Sequence, residues 1–324
     1  MRFGELLDQF GRLKALVVGD LMLDEYIFGS ATRISQEAPV MVVRQKRTTS
    51  VPGGAANVAR NLRALGASTM VAGLVGSDAA GDDLVRAFTA DGFDASGIVR
   101  DPARATTRKT RVLADAAHQV LRIDHEDELP AGPEAESQLL AEATRLLERA
   151  DLVVLSDYLK GALTEKVVAE VIARARELGK PVSVNAKPRS LPFYRGANCL
   201  TLNRAEASEV LGLWQPLEPS LALEAAQDIR SRTGLDALVI TLGEAGMAVA
   251  GPERFRVEAP KVEVYDTAGA GDTVVATVAL GLAADGFTRS VFELAAQASA
   301  AVVRKVGVAV PSADDLREIR AAGA

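Results

Sequence analysis

Asp266-Thr267-Ala268-Gly269-Ala270-Gly271-Asp272-Thr273 is the stretch on which the reading of this chain turns. It follows an alternating run, Val262 to Val264, and leads into apolar, small-residue sequence from Val274 to Ala284. The pattern predicts a strand, a tight glycine turn and the start of a buried helix. Glycine lacks a Cβ, so the backbone there can approach a ligand closely. A helix start presents orphan N–H groups and a partial positive charge, and an anion is the natural occupant. Asp272 is then the odd residue, because a carboxylate beside an anion site repels the ligand it faces. Such a group makes sense if it takes a proton from an incoming hydroxyl while the N–H groups hold a phosphoryl in transfer. The same string also suits an ordinary capped helix, since Asp and Thr are common at helix starts and short glycine motifs recur by chance.

Composition narrows the classes. A chain of 324 residues suits one large α/β domain or two smaller ones. The net charge of −6 gives no global attraction to nucleic acid or to acidic membranes. Cys199 is the single cysteine, so no intrachain disulfide can form and a cytoplasmic setting is expected. It falls in an apolar run and reads as a small buried hydrophobe. The first residues lack a signal-peptide pattern, and no apolar run reaches the roughly 18 residues of a membrane span. His118 and His125 have no partner at metal-ligand spacing, which argues against a zinc site. Neither a serine-centred G-x-S-x-G elbow nor a G-x-x-x-x-G-K-[ST] loop is present, so hydrolase and P-loop readings lose support.

Short apolar runs recur between helical patterns: Ala15–Gly19, Thr69–Val75, Leu152–Ser156, Val182–Val184, Cys199–Leu202 and Ala237–Thr241. Alternation of this kind predicts an α/β fold, a mostly parallel sheet with helices on both faces. Ligands in such folds collect beyond the carboxyl ends of the strands. The notable polar residues fall there: Asp20 and Asp24, Gly76 and Asp78, Asp157, Asn185 and Lys187, Asn203 and Glu206, Thr241 and Gly243. Two regions break the rhythm, Asp24 to Val51 and Thr106 to Asp124. They read as antiparallel strands of a small second sheet, a lid, with Lys109 and Arg111 on one face and Arg122 beside Asp124. Charges there also suit a merely solvated outer face. Pro52-Gly53-Gly54-Ala55-Ala56-Asn57 reads as a glycine pair before a helix, with Asn57 one turn in, where its amide can reach a polar ligand.

Together these pieces resemble the ribokinase-like, PfkB-type carbohydrate kinases over essentially the whole chain, as a single kinase domain with lid segments near 24–51 and 106–124. PGGAANVARNL at 52–62 and DTAGAGDTVVAT at 266–277 look like that family's two signatures, and Asn203-Arg204-Ala205-Glu206 is similar to its N-x-x-E motif. Gly19 to Asp24, Arg33 to Val40 (RISQEAPV) and Leu155 to Gly161 (LSDYLKG) resemble the kinase module of D-glycero-β-D-manno-heptose-7-phosphate kinases more narrowly. Two departures stand out: Asn185-Ala186-Lys187 replaces the usual Asp-Pro-Lys, and Thr-Leu-Asn replaces Thr-Pro-Asn at 201–203. That module is often fused to an adenylyltransferase with an H-x-G-H motif, which is absent here, so a stand-alone kinase is expected.

The resemblance implies a set of roles. Asp272 is the general base, and the N–H groups from Gly269 through Ala270 and Gly271 to Asp272 hold the transferring phosphoryl. Asn203 and Glu206 serve magnesium through water, and Lys187, Thr241 and Gly243 join them on the ATP side. Asp24, Gly53, Gly54 and Asn57 contact sugar hydroxyls, while Lys109, Arg111 and Arg122 hold a substrate phosphate. The implied reaction phosphorylates O1 of the heptose 7-phosphate to give the 1,7-bisphosphate, in a homodimer formed through the lid. Neither nucleic acid nor membrane is an expected partner. A kinase for another sugar, sugar phosphate or nucleoside shares every ATP-side residue. A non-catalytic sugar sensor is the reading from a different class.

Overall fold

The computed structural model describes residues 1–115 and 118–323. In chain order the strands are β1 (Lys14–Ile34), β2 (Met41–Gly54), β3 (Ser68–Gly76), β4 (Asp94–Asp101), β5 (Thr107–Ala114) and β6 (His118–His125). They continue as β7 (Leu152–Ser156), β8 (Val182–Asn185), β9 (Cys199–Asn203), β10 (Ala237–Thr241), β11 (Met247–Ala250) and β12 (Arg254–Val257). The helices are α1 (Phe3–Phe10), α2 (Ala55–Ala64), α3 (Ala79–Ala90), α4 (Pro133–Leu147) and α5 (Glu165–Glu177). After them come α6 (Arg204–Val210), α7 (Ala222–Thr233), α8 (Ala270–Asp285), α9 (Arg289–Val302) and α10 (Ala313–Ala322).

The main sheet runs β12-β11-β10-β9-β8-β7-β1-β3-β4. It is parallel from β10 through β4, with an antiparallel edge at β11 and β12. Its strands are short apolar runs because both faces are covered. Ala15 and Val17 point into a core made with α1, α2, α3, α8 and α9, and Leu16 and Val18 into a second core under α4, α5, α6 and α7. Strand periodicity alone puts successive residues of β1 into opposite cores. Helix α8 is apolar on every side and buried from Asp272 to Gly281, as a helix wedged between a sheet and its neighbours has to be.

The second sheet grows out of the first. β1 is one strand of 21 residues: Lys14 to Asp20 pair in the main sheet, and from Leu21 on it pairs with β2. β5 joins its other side and β6 pairs β5. The expectation of antiparallel strands therefore needs correcting at β5, which runs parallel to β1. The chain reaches β5 through α3 and β4, a crossover that delivers it in the same direction. Pro52, Gly53 and Gly54 end strand β2, and α2 starts directly after the glycine pair, as expected.

The six expected core strands are present. β4, β11 and β12 were not expected, being polar (β4) or only four residues long (β11, β12). The strand expected at Val262 to Val264 is not there. That run has irregular backbone, begins after Pro260 and leaves Val264 exposed over the mouth of a cavity, so alternation found no strand to pair with.

Candidate active site

Asp272 sits in the first turn of α8, whose N-cap is Gly269 in the left-handed conformation, φ 83°. Only glycine takes that angle freely, and a Cβ there would come within 3.0 Å of the Asn57 amide nitrogen. The Ala270 N–H turns back on the Thr267 carbonyl at 3.3 Å, and the first helical bond runs from Thr273 to Gly269. The N–H groups of Gly271 and Asp272 lie before that bond, among the helix's orphan donors. Open space faces the position where a Gly271 Cβ would stand.

Two cavities meet here. One of about 180 Å³ is lined by Tyr158, Asn185, Lys187, Asn203, Glu206 and Asp272 among others. The other, about 360 Å³, is walled by Met247, Pro260, Val262, Val264 and Ala300. Thr241 and Gly271 line both. A small polar chamber at a helix start, opening into a larger apolar slot, has the shape for a polyphosphate with a flat base attached.

The Asp272 carboxylate is 8% exposed. Burial pushes its pKa up to about 6, against two donated hydrogen bonds that favour the charged form. Asn57 Nδ2 donates to Oδ2 at 2.8 Å, and the Tyr158 hydroxyl donates to Oδ1 at 2.6 Å. Asn185 Nδ2 lies 3.4 Å from the same Oδ1. A carboxylate poised in this way can accept a proton near neutral pH. Asn57 thus reaches the expected base across the site from α2. Tyr158 was missing from the sequence-derived site set, although it stands inside the LSDYLKG string just past the buried strand β7.

Lys187 Nζ lies 2.5 Å from Glu206 Oε1 and 5.2 Å from the Tyr158 ring centre. Glu206 Oε2 accepts the Asn203 N–H at 2.8 Å, and Asn203 Oδ1 accepts the Glu206 N–H at 2.9 Å, a reciprocal cap on α6. Both Glu206 oxygens already have a partner, and no cluster of three or more acidic, His or Cys side chains able to hold a metal occurs among the described residues. Direct, multidentate metal binding does not fit. Oxygens on the wall of a phosphate-sized chamber do fit magnesium that keeps its waters and binds mainly through a nucleotide. Thr241 and Gly243 follow β10 at the rim shared with the larger cavity.

The second sheet closes the other side. Asp24 is buried, and its carboxylate occupies the space a Gly53 Cβ would need. Arg111 pairs with Asp24. The register sets Arg111 opposite Arg122 and Lys109 opposite Asp124, so the three expected cations share one face. Each is already matched by a carboxylate: Lys109 by Asp124 and Glu126 at 3.1 and 2.8 Å, Arg122 by Asp124 at 2.9 Å. Asp78, also at a strand end, instead holds the start of β5 through the Thr106 N–H at 2.8 Å. Cys199 is buried, its thiol pushed up to about 12 by burial, as a small core hydrophobe would be.

A family model described as pfkB family carbohydrate kinase matches residues 12–315. The bifunctional protein HldE of Desulfatibacillum aliphaticivorans is 42% identical over 310 residues, 95% of this chain and 63% of the relative. The bifunctional protein HldE of Geobacter sulfurreducens is 44% identical over 305 residues, covering 93% and 62%. The chain thus spans less than two thirds of the length of these relatives. Phosphofructokinase-2 from Escherichia coli superposes with a TM-score of 0.78 at 21% identity, covering 96% of this chain and 99% of that one. Ribokinase from Arabidopsis thaliana gives 0.72 at 19% identity, covering 95% and 98%. At those identities the likeness is one of fold.

Proposed function

Because this chain belongs to the pfkB family of carbohydrate kinases, and is an ATP-dependent sugar kinase, we propose that it phosphorylates O1 of D-glycero-β-D-manno-heptose 7-phosphate with Asp272 as the base. The observation that carries the reading is the Asp272 carboxylate, buried, raised to about 6 and set at the helix start beside a polar chamber. The heptose assignment is supported by the RISQEAPV and LSDYLKG strings and by 42% identity to a bifunctional HldE.

The sugar hydroxyl gives its proton to Asp272 as its oxygen bonds to the γ-phosphorus. The bond from that phosphorus to the bridging oxygen breaks, and ADP leaves with the electron pair. The N–H groups of Gly271 and Asp272 face the charge that spreads over the transferring group. Lys187 offsets the charge of the nucleotide phosphates, with the apolar slot receiving the base. Glu206 and Asn203 would hold, through water, a magnesium ion arriving with ATP, which would neutralise phosphate charge. Asp24 and Gly53 meet sugar hydroxyls. Arg111, together with Arg60 on α2, meets the substrate phosphate. Burial lowers the pKa of Arg60, whose Nη1 makes only long contacts, to Asn57 Oδ1 at 3.4 Å and the Val308 carbonyl at 3.5 Å, among the described residues. Movement of the second sheet over the acceptor excludes water and limits ATP hydrolysis. The exposed apolar residues of that sheet pair it with a second copy of the chain. No described helix is long and apolar enough to cross a membrane.

The test is a coupled ADP-release assay with magnesium-ATP. Its panel is the β-heptose 7-phosphate, its α anomer, sedoheptulose 7-phosphate, fructose 6-phosphate, ribose and adenosine. Turnover confined to the β-heptose phosphate is the expected result. Turnover on ribose or adenosine instead would remove the heptose assignment and the phosphate contacts, while leaving the ATP side. No turnover on any acceptor, with the sugar still bound, would favour the sensor.

A further inference from the structure

We propose that Tyr158 is a positioning residue for Asp272, holding its carboxylate in orientation and in the charged form through the donated phenolic hydrogen bond. The proposal rests on Asp272 being the base. The hydroxyl lies 2.6 Å from Asp272 Oδ1 while Asn57 takes Oδ2 at 2.8 Å, so the carboxylate is gripped at both oxygens. Oδ1 also takes the long contact from Asn185, so Oδ2 is the oxygen that keeps a lone pair for an incoming hydroxyl.

The turn that carries Tyr158 is built at a cost which a plain connection would avoid. Its N–H groups converge on the buried Asp20 carboxylate: Tyr158 and Lys160 donate to Oδ2 at 2.7 and 3.0 Å, and Ala162 to Oδ1 at 3.0 Å. Leu159 adopts a left-handed φ of 57°, a strained angle for a branched residue. Asp157 accepts the Leu159 N–H at 2.7 Å and the Tyr194 hydroxyl at 2.9 Å. Two neighbouring carboxylates in the core are thus spent on one five-residue turn. Burial, then Asp157, pushes Asp20 up to about 6 despite its three donors. What this turn delivers to the site is the Tyr158 side chain.

Other groups also face Asp272: Asn57 from α2, Asp24 from β1, Asn185 at the end of β8 and Lys187 just after it. Of the charged ones, Asp24 opposes ionisation and Lys187 favours it. Neither donates a hydrogen bond to the carboxylate, and the Asn185 contact is long at 3.4 Å. Tyr158 therefore supplies the shortest hydrogen bond to the anion.

The measurement is kcat/KM for the sugar against pH in Tyr158→Phe, which removes one oxygen and keeps the ring. A hydrogen bond to a charged acceptor is worth about a tenfold change in ionisation, so the acid limb should move up by about one unit. Activity should recover substantially at high pH, with KM for magnesium-ATP within about twofold of wild type. A loss by the same factor at every pH, or no change at all, would overturn the proposal. Asp272→Asn separates the two readings. If it turns over normally, the base assignment fails; if it is inactive while Tyr158→Phe keeps the wild-type limb, only the role of Tyr158 fails.

Discussion

A carboxylate that takes a proton near neutrality has to resist ionisation without losing it altogether, and at Asp272 burial and two donors set that balance. Two predictions belong to this residue. Turnover should fall as pH drops through about 6, because the proposed base is lost by protonation. Asp272→Asn should cost about two to four orders of magnitude in kcat while the thermal transition stays close to wild type. Near-normal kcat would remove the assignment. Asn185 offers a third. Its amide lies 3.4 Å from Asp272 Oδ1, so Asn185→Asp would set a second carboxylate beside the first. Like charges at that distance raise the pKa, and the acid limb of the pH profile should move upward. An unmoved limb would mean that the new side chain turns away. The glycine-aspartate string was readable in the sequence because its chemistry is local. The role of Tyr158 was not, since its partner lies 114 residues away and nothing in the LSDYLKG string specifies that contact. For the same reason the carboxylates that face Lys109 and Arg111 from neighbouring strands were not legible, whereas Asp124, two residues along the same strand from Arg122, was.

Elements turn such residues into a site. Six core strands were legible because burial on both faces leaves an apolar run that little else produces. The continuation of β1 through 21 residues was not, because its composition changes where it leaves the main sheet for the second one. The irregular run at 262–264 misled for the opposite reason: alternation is a local pattern, but a strand needs a partner edge. The junction before α8 gives an element-scale prediction. Gly269→Ala places a Cβ at φ 83° and 3.0 Å from the Asn57 amide. The left-handed angle alone costs about 1–2 kcal/mol. Displacing Asn57 should also release Asp272 Oδ2, so kcat should fall by about tenfold or more, further than the stability loss explains. Full activity with an unchanged unfolding midpoint would show that the turn tolerates a side chain.

At the scale of the whole molecule, five exposed large apolar side chains gather in one place. Ile34, Val40, Met41, Leu121 and Ile123 are 68%, 56%, 52%, 52% and 52% exposed and lie on the second sheet or the turn between β1 and β2, while others such as Trp214 and Leu129 are scattered. Large apolar side chains gathered on one small sheet favour a protein partner. A second copy is the partner proposed, because an identical sheet offers the same apolar face and a two-fold axis closes the pair. Leu121 and Ile123 alternate with Arg122 and Asp124 along β6, so they can be changed without touching the charged face. The double variant Leu121→Asp, Ile123→Asp should sediment at half the mass of the wild-type protein. Its root strands carry Asp24 and Arg111, so loss of the pair should raise KM for the sugar phosphate more than KM for magnesium-ATP. A wild-type protein that sediments as a monomer at assay concentration would end this reading. A variant that stays dimeric would move the interface elsewhere on the molecule.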